Sequence, residues 1–437
     1  MSRPKVVIVG GGFGGLAAAR TLKSAPVDVV LLDRSNHHLF QPLLYQVATS
    51  VLTPGQIASP IRNILRKQKN VSVVLAEVTG IDKEGRRVIA KNVDREGVAV
   101  SYDYLILATG AHHSYFGHEE LAQFAPGLKS AADAVMIRNR ILQAFERAEA
   151  MEDPSRQDGL LTFVLVGAGP TGVEMAGAIS VLIRQTLRTE FRRSDPASAR
   201  VVLVEGGTRI LPNFSEPLSQ AATKRLESLG VEIRPGHVDR IDETGAWIGN
   251  ERIPSKTVIW TAGVKASPVG EWLGVETDRS GRVRVDGQVR VPGHPEIFVI
   301  GDAASFDNEG HPLPGVAQVA LQQGRYVARC IAGSIAGAPQ PPPFRYFDKG
   351  NMAVVGKGYA VLETGRFRLS GIPAWMAWAA VHIHFLAQES LRLSVFLQWM
   401  WTFLTGQRGS RLIVEHHGAA EDRKQGDDPG VRLWRAG

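Results

Sequence analysis

The chain has a single cysteine, Cys330, in 437 residues. That excludes an intramolecular disulfide, a Cys-x-x-Cys redox pair and a cysteine metal cluster, and no metal site is expected. Strand-like apolar residues begin near position 5, so a signal peptide is not expected and a reducing, cytoplasmic compartment is. Acidic residues are the minority charge: 43 Asp and Glu stand against 50 Lys and Arg, for a net charge of +7. A cationic balance suits nucleic acid or an anionic membrane surface. No dense Lys/Arg block interleaved with aromatics is present, so nucleic acid is not expected and the membrane surface is favoured. What is abundant is glycine, 46 residues, in a chain 44% hydrophobic and 21% charged. Such a composition fits a globular α/β protein with many tight turns, long enough for two or three domains.

The glycines mark the organising stretch. Lys5 to Arg34 reads as strand, glycine turn, helix and strand, ending on an acid. Val6, Val7, Ile8 and Val9 suit a parallel strand buried on both faces. Gly10, Gly12 and Gly15 follow in G-x-G-x-x-G spacing. The first makes the tight turn, the second admits a pyrophosphate to the backbone N–H groups, and the third seats the helix on the strand. The pyrophosphate would lie on the helix N-terminus. Val29–Leu32 forms the next strand, and Asp33 at its end is placed to accept from a ribose hydroxyl. Residues 37–45 are dense in large side chains, which suits either a cofactor wall or ordinary packing. For His37 and His38 taken singly, packing is favoured. Tyr102–Ala108 is another apolar strand, and Thr109, Gly110 and Ala111 after it let backbone pass close to a bound dinucleotide.

The pattern returns at Leu161. A buried strand is followed by Gly167, Gly169 and Gly172 in the same spacing, then by a helix and a strand ending on Glu205. Trp260–Gly263, W-T-A-G, answers the A-T-G at 108–110. Two dinucleotide-binding units are therefore predicted, the second inserted into the first. Asp33 and Glu205 both favour an unphosphorylated ribose, because a carboxylate repels a 2′-phosphate. One unit can hold FAD and the other NADH rather than NADPH.

Glu296–Ile300 should return the chain to the first unit. Asp302 at its end can accept from a flavin ribityl hydroxyl. A helix beginning near Gly315 carries Gln318 and Gln322 on one face. Two amides on an otherwise apolar helical face need partners, either a polar ligand such as a quinone carbonyl or loop backbone. Cys330 reads as a core residue. Ala338–Pro343 is a proline-rich linker, and Phe344–Glu363 should form two or three strands. Ile372–Gln388 and Leu393–Gln407 contain no Asp, Glu, Lys or Arg over 17 and 15 residues. They read as two helices lying in a membrane interface. Trp375, Trp378, Trp399 and Trp401 would lie at headgroup depth, and Arg392, Arg408 and Arg411 near phosphates. The alternative is a helical hairpin packed on the protein or a homodimer interface. Residues 414–437 are expected to be disordered.

Together these motifs resemble the type II NADH:quinone oxidoreductases, the single-chain, non-proton-pumping NADH dehydrogenases. The resemblance rests on VIVGGGFGG, on HHLFQPLLYQVA at 37–48, on VGAGPTGVEMAG at 166–177 and on GDAA at 301–304. It rests also on AQVALQQG at 317–324 and on the Trp-rich tail ending TGQRGSRLI. AQES at 387–390 departs from the glycine-and-basic stretch common in relatives. The implied fold is α/β, with two Rossmann-like domains in a glutathione-reductase-like layout plus a C-terminal amphipathic-helix anchoring region. The implied divisions are an FAD domain at 1–115 and 281–336, a connecting segment at 116–155, an NADH domain at 156–280 and a membrane-associating region at 337–413. The implied reaction passes hydride from NADH to FAD, then two electrons to a membrane quinone, without proton pumping. Glu174 would sit by the nicotinamide, and Gln318 and Gln322 would border the quinone. The FAD set is Gly10, Gly12, Gly15, Asp33, Arg34, Gln41, Val78, Thr109, Gly110, Asp302, Ala317 and Gln318. The NADH set is Gly167, Gly169, Gly172, Glu174, Glu205, Ala262 and Gly263. Peripheral attachment through residues 371–411 to the cytoplasmic face of a bacterial inner membrane is expected. Sulfide:quinone oxidoreductases and disulfide reductases share the layout but need redox cysteines. A soluble FAD-dependent NADH oxidase or ferredoxin-type reductase is the alternative. His382 and His384 are titratable groups in an apolar stretch and therefore candidate proton donors to the quinone.

Overall fold

The computed structural model describes residues 3–151, 159–308 and 310–414. Its first sheet has eight strands, with Lys5–Val9 between Asp28–Asp33 and Tyr104–Leu107, all parallel. Val6, Val7 and Ile8 are fully buried, as a strand covered on both faces requires. Beyond Asp28–Asp33 the sheet continues through Val71–Asp82, then antiparallel through Arg87–Asn92 and Val98–Ser101. A second sheet of four parallel strands orders Val231–Pro235, Arg200–Glu205, Thr162–Val166 and Thr257–Trp260.

The second unit is inserted into the first. After it, His294–Val299 joins the first sheet beside Tyr104–Leu107, pairing Ile297 with Leu105 and Val299 with Leu107. A short ladder ties the units together where each leaves its sheet: Ala111–His113 pairs antiparallel with Val264–Ala266. The helix Ala317–Ile335 then crosses Phe13–Thr21 at close range. A Cβ at Gly324 would lie 2.2 Å from the Gly14 carbonyl oxygen, so only glycine admits that approach.

The tail forms a three-stranded meander, Asn351–Val354, Ala360–Thr364 and Phe367–Gly371, followed by helices Ile372–Phe385 and Glu389–Thr405. Among the described residues no helix is long and apolar enough to cross a membrane. The sequence expectation that four tryptophans and three arginines face lipid needs correction. Trp378 and Trp399 are buried and stack at 5.0 Å, joining the core of the second unit. Trp375 stacks on Phe403, leaving Trp401 as the exposed indole. Arg408 is 4% exposed and donates to the carbonyls of Thr49 and Ala178. Arg411 bonds the Arg408 carbonyl and the Glu190 carboxylate. Arg392 donates to the Leu386 carbonyl. The three arginines and the Trp399 N–H thus find hydrogen-bond partners inside the fold, as buried polar groups require. The outer face instead carries Ile372, Met376, Leu393, Phe396, Leu397, Met400, Trp401 and Leu404, all exposed. The expected disorder beyond Val414 lies outside the described residues.

Candidate active site

The two glycine turns have the same construction. Gly10 and Gly167 adopt φ +103° and +99°, a left-handed conformation that favours glycine. A Cβ at Gly15 would lie 1.8 Å from the Gly10 oxygen, and one at Gly172 would lie 1.9 Å from the Gly167 oxygen. Gly12 and Gly169 differ: a Cβ there would meet no protein atom. The chain itself does not require glycine at those two positions, but a ligand pressed on the helix N-terminus would. That spacing fits a dinucleotide pyrophosphate in both units.

The strand-end acids brace the same loops. Asp33 accepts from the Gly11 N–H at 2.5 Å and the Ser35 N–H at 2.6 Å. Glu205 accepts from Ala168 at 2.6 Å and Gly207 at 2.7 Å. Each carboxylate oxygen has a second lone pair, so both acids keep acceptor capacity for a ribose hydroxyl. Burial raises the Asp33 carboxyl, and the two backbone donors oppose the rise. The turns after the third strands also match: Gly110 at φ +71° and Gly263 at +69°. Ala262 packs under Gly167, where a Cβ would approach its Cα to 2.8 Å.

Eight of the predicted site residues line two cavities. One, of about 230 Å³, lies over the first sheet and is lined by Gly10, Asp33, Arg34, Val78 and Thr109, with Ser267 and Trp272. The other lies between the units and brings together Gln41, Glu174 and Gly263, with Tyr45, His113 and Lys129. His113 and Lys129 carry no motif in the sequence, and only the pairing of Ala111–His113 with Val264–Ala266 delivers His113 there. Burial, and Lys129 next, push His113 down to about 4, so it is neutral near pH 7. Glu174 faces this cavity and also a third one. Burial pushes its carboxyl up to about 8, opposed by one hydrogen bond from the Val354 N–H.

The third cavity lies beneath the tail helices. Its walls are Trp375, Trp378, Trp399 and Phe403, with Tyr45, Gln46, Glu174, Val354, Lys357 and Arg408. Tyr45 ends the dense stretch after Asp33, whose composition does not separate a ligand wall from packing, and Gln46 follows it directly.

The glutamine helix pairs its two amides with loop backbone, one of the two kinds of partner the sequence allowed. Gln318 donates to the Gly350 carbonyl and accepts from the Lys349 N–H, both at 3.1 Å. Gln322 donates to the Phe347 carbonyl at 2.9 Å and accepts from its N–H at 3.0 Å. Both amides fasten the loop leading into Asn351–Val354, as backbone groups there need partners. The third glutamine of the run, Gln323, is 1% exposed and accepts from the Gly301 N–H at 2.7 Å, anchoring the turn that carries Asp302. Ala317 begins the helix. His382 stacks on Trp378 and bonds its carbonyl, and burial pushes it down to about 4; it is therefore a neutral packing residue near pH 7.

The family model for pyridine nucleotide-disulphide oxidoreductases matches residues 4–324, which defines the class. The type II NADH:quinone oxidoreductase Ndh of Mycobacterium tuberculosis is 46% identical over 433 residues, covering 96% of this chain and 92% of that protein. NdhA of the same organism is 43% identical over 426 residues, covering 94% and 90%. The structure of NDH2 from Plasmodium falciparum in complex with NADH matches with a TM-score of 0.85, covering 94% of this chain and all of that one, at 20% identity. The last likeness shows the shared fold. The chain belongs to the type II NADH:quinone oxidoreductase family of that class.

Proposed function

We propose that the protein oxidises NADH and reduces a membrane quinone, with FAD in the first unit and NADH in the second. The observation that carries this reading is the pairing of two glycine cradles with an aromatic cavity under the tail. Bound FAD supplies the two-electron link between the substrates. Gly12 and Gly169 leave room for the two pyrophosphates, Asp33 and Glu205 accept from the riboses, and Asp302 accepts from the flavin chain. Arg34, Gln41, Val78, Thr109, Gly110 and Ala317 complete the FAD contacts, and Ala262 and Gly263 those of NADH. Glu174, protonated near neutral pH, offers a donor at the nicotinamide side. Gln318 and Gln322 act on the quinone through the loop they hold and the amide hydrogens left over. The domain divisions follow: FAD at 1–115 and 281–336, a connecting segment at 116–155, NADH at 156–280, and the tail from 337 to 413. The test is anaerobic. One equivalent of NADH should bleach the flavin rapidly, and a short-chain quinone should restore it rapidly. Restoration by oxygen or a ferredoxin alone would favour a soluble reductase.

We also place residues 371–411 against an anionic membrane, on the cytoplasmic face of the bacterial inner membrane. The exposed apolar face of the two tail helices supports this, with Lys349 and Lys357 lying over the Phe385 and Phe403 rings beside it. Burying one leucine is worth about 1.5 kcal/mol or more. Leu397→Ser with Leu404→Ser should therefore lower partition onto anionic vesicles roughly a hundredfold. Flotation of the double variant equal to wild type would rule the face out as the anchor. Dimeric elution with no flotation of wild type would make it a homodimer interface.

A further inference from the structure

Tyr45 and Glu174 are the two side chains that line both the cavity between the dinucleotide units and the aromatic cavity under the tail. They form the partition between the two spaces. The hydrogen-bond chain around Tyr45 has a direction fixed by chemistry. The Trp399 indole N–H can only donate, and it donates to Gln46 Oε1 at 2.7 Å. The Gln46 amide nitrogen must then face the other way, and it donates to the Tyr45 oxygen at 3.1 Å. Tyr45 is thus an acceptor along this chain, and its own hydrogen is left over. Among the described residues its O–H donates to none, although the ring is 4% exposed. The hydrogen is available to a ligand in the cavity that Tyr45 lines.

We propose that Tyr45 is the proton donor to the quinone oxygen, aimed by the Trp399–Gln46 chain and reprotonated by Glu174. This rests on the quinone reading above. NADH, one proton and the quinone give NAD⁺ and the quinol. The hydride supplies both electrons and one hydrogen, and one proton is drawn from solvent. For that proton, the Tyr45 O–H bond breaks and the hydrogen passes to the quinone oxygen. The Glu174 carboxyl O–H then breaks and restores the phenol. Water reaching the cavity between the units returns a proton to Glu174. Burial, and Glu174 next, hold the Tyr45 phenol well above its ordinary range, which keeps the proton on it at rest; the Gln46 amide and the Arg408 guanidinium oppose that rise and ease the transient phenolate. Glu174 holds a proton to give near pH 7, because burial keeps its carboxyl up at about 8. Gln46 and Trp399 are positioning residues.

The decisive variant is Tyr45→Phe, which removes the hydroxyl and keeps the ring. Enzyme reduced anaerobically with NADH is mixed in parallel with a short-chain quinone and with ferricyanide, which takes electrons without protons. The ratio of quinone to ferricyanide reoxidation rates should fall by about a hundredfold, within the range removed with a general acid. The solvent deuterium effect on the quinone step should change with it. Quenching of the cavity tryptophans by a non-reducible hydroxyquinoline measures binding apart from turnover, and its Kd should rise several-fold. Gln46→Leu keeps the phenol but releases it, and should lower the same ratio by a smaller factor with KM nearly unchanged. A ratio within twofold of wild type in Tyr45→Phe overturns the inference, and so does an unaltered ratio in Gln46→Leu should Tyr45→Phe not fold. Wild-type enzyme that quinone does not reoxidise would instead sink the quinone reading itself.

Discussion

Gly15→Ala should yield a protein that purifies without flavin, whereas Gly12→Ala should yield a stable fold with weakened flavin binding. The two glycines sit three residues apart and do different work. A Cβ at Gly15 would stand 1.8 Å from the Gly10 oxygen, inside the turn. Neither partner is a flexible side-chain end, so the loop or the helix must move. Overpacking of this sort costs about 1–3 kcal/mol, and the displaced loop no longer aims its N–H groups at the pyrophosphate. Two misdirected charge-assisted hydrogen bonds, each worth roughly 1.5–3 kcal/mol, lower affinity a hundredfold or more. At Gly12 the added methyl meets no protein atom, and the backbone sits at φ −72°, open to alanine. Stability should stay within about 0.5 kcal/mol of wild type, while the methyl occupies the path of the pyrophosphate. The readouts are the flavin-to-protein absorbance ratio after gel filtration and the urea midpoint of the apoprotein. Full flavin content in both variants would mean that the first cradle does not hold FAD. Gly172→Ala and Gly169→Ala should repeat the contrast for NADH, since a Cβ at Gly172 would lie 1.9 Å from the Gly167 oxygen and one at Gly169 would meet nothing.

That contrast also explains what the sequence could and could not disclose. A glycine spacing is dictated by backbone approach, which is local, so both cradles, their acids at Asp33 and Glu205 and the insertion of one unit in the other were legible in one dimension. The tail helices were legible for the same reason, as uncharged runs of helical length. Which side of them faces inward was not. Trp378 and Trp399 are indistinguishable from Trp401 by composition. Trp399 is held inward by Gln46, about 350 positions earlier in the chain, which accepts from its N–H, and Trp378 stacks on Trp399. Arg408 reads as a lipid-facing cation until Thr49 and Ala178 present it with carbonyls. The glutamine run was legible only in part. An amide on an apolar helical face announces that it needs a partner, and the pattern left open whether that partner was a ligand or loop backbone. Gln318 and Gln322 hold the loop at 347–350, and Gln323, which no periodicity singles out, holds the Asp302 turn.

Glu174→Gln should make the folded protein more stable at alkaline pH and leave it unchanged at acid pH. In the fold, burial keeps the Glu174 carboxyl up at about 8, against 4.5 for an ordinary glutamic acid. Between those values the native protein holds a proton that the unfolded chain has released. Stability therefore falls as pH rises through this window, because the native state binds the more protons. The loss amounts to roughly 3–5 kcal/mol by pH 8 and above. Glutamine has nearly the shape of the protonated acid, can accept from the Val354 N–H in the same way, and does not titrate. At about pH 5 the two proteins should unfold at the same urea concentration within about 1 kcal/mol, and by pH 8.5 the variant should lead by several. The sign separates this site from the paired carboxylates of the surface. Glu149, held down at about 2 by the backbone N–H groups of Ser194, Arg192 and Arg193, contributes stability that is lost only as pH falls through its own range. Parallel loss of stability in Glu174→Gln and wild type from pH 5 to 8.5 would show that Glu174 is ionised in the fold, and would remove it as a store of the proton that the quinone takes up.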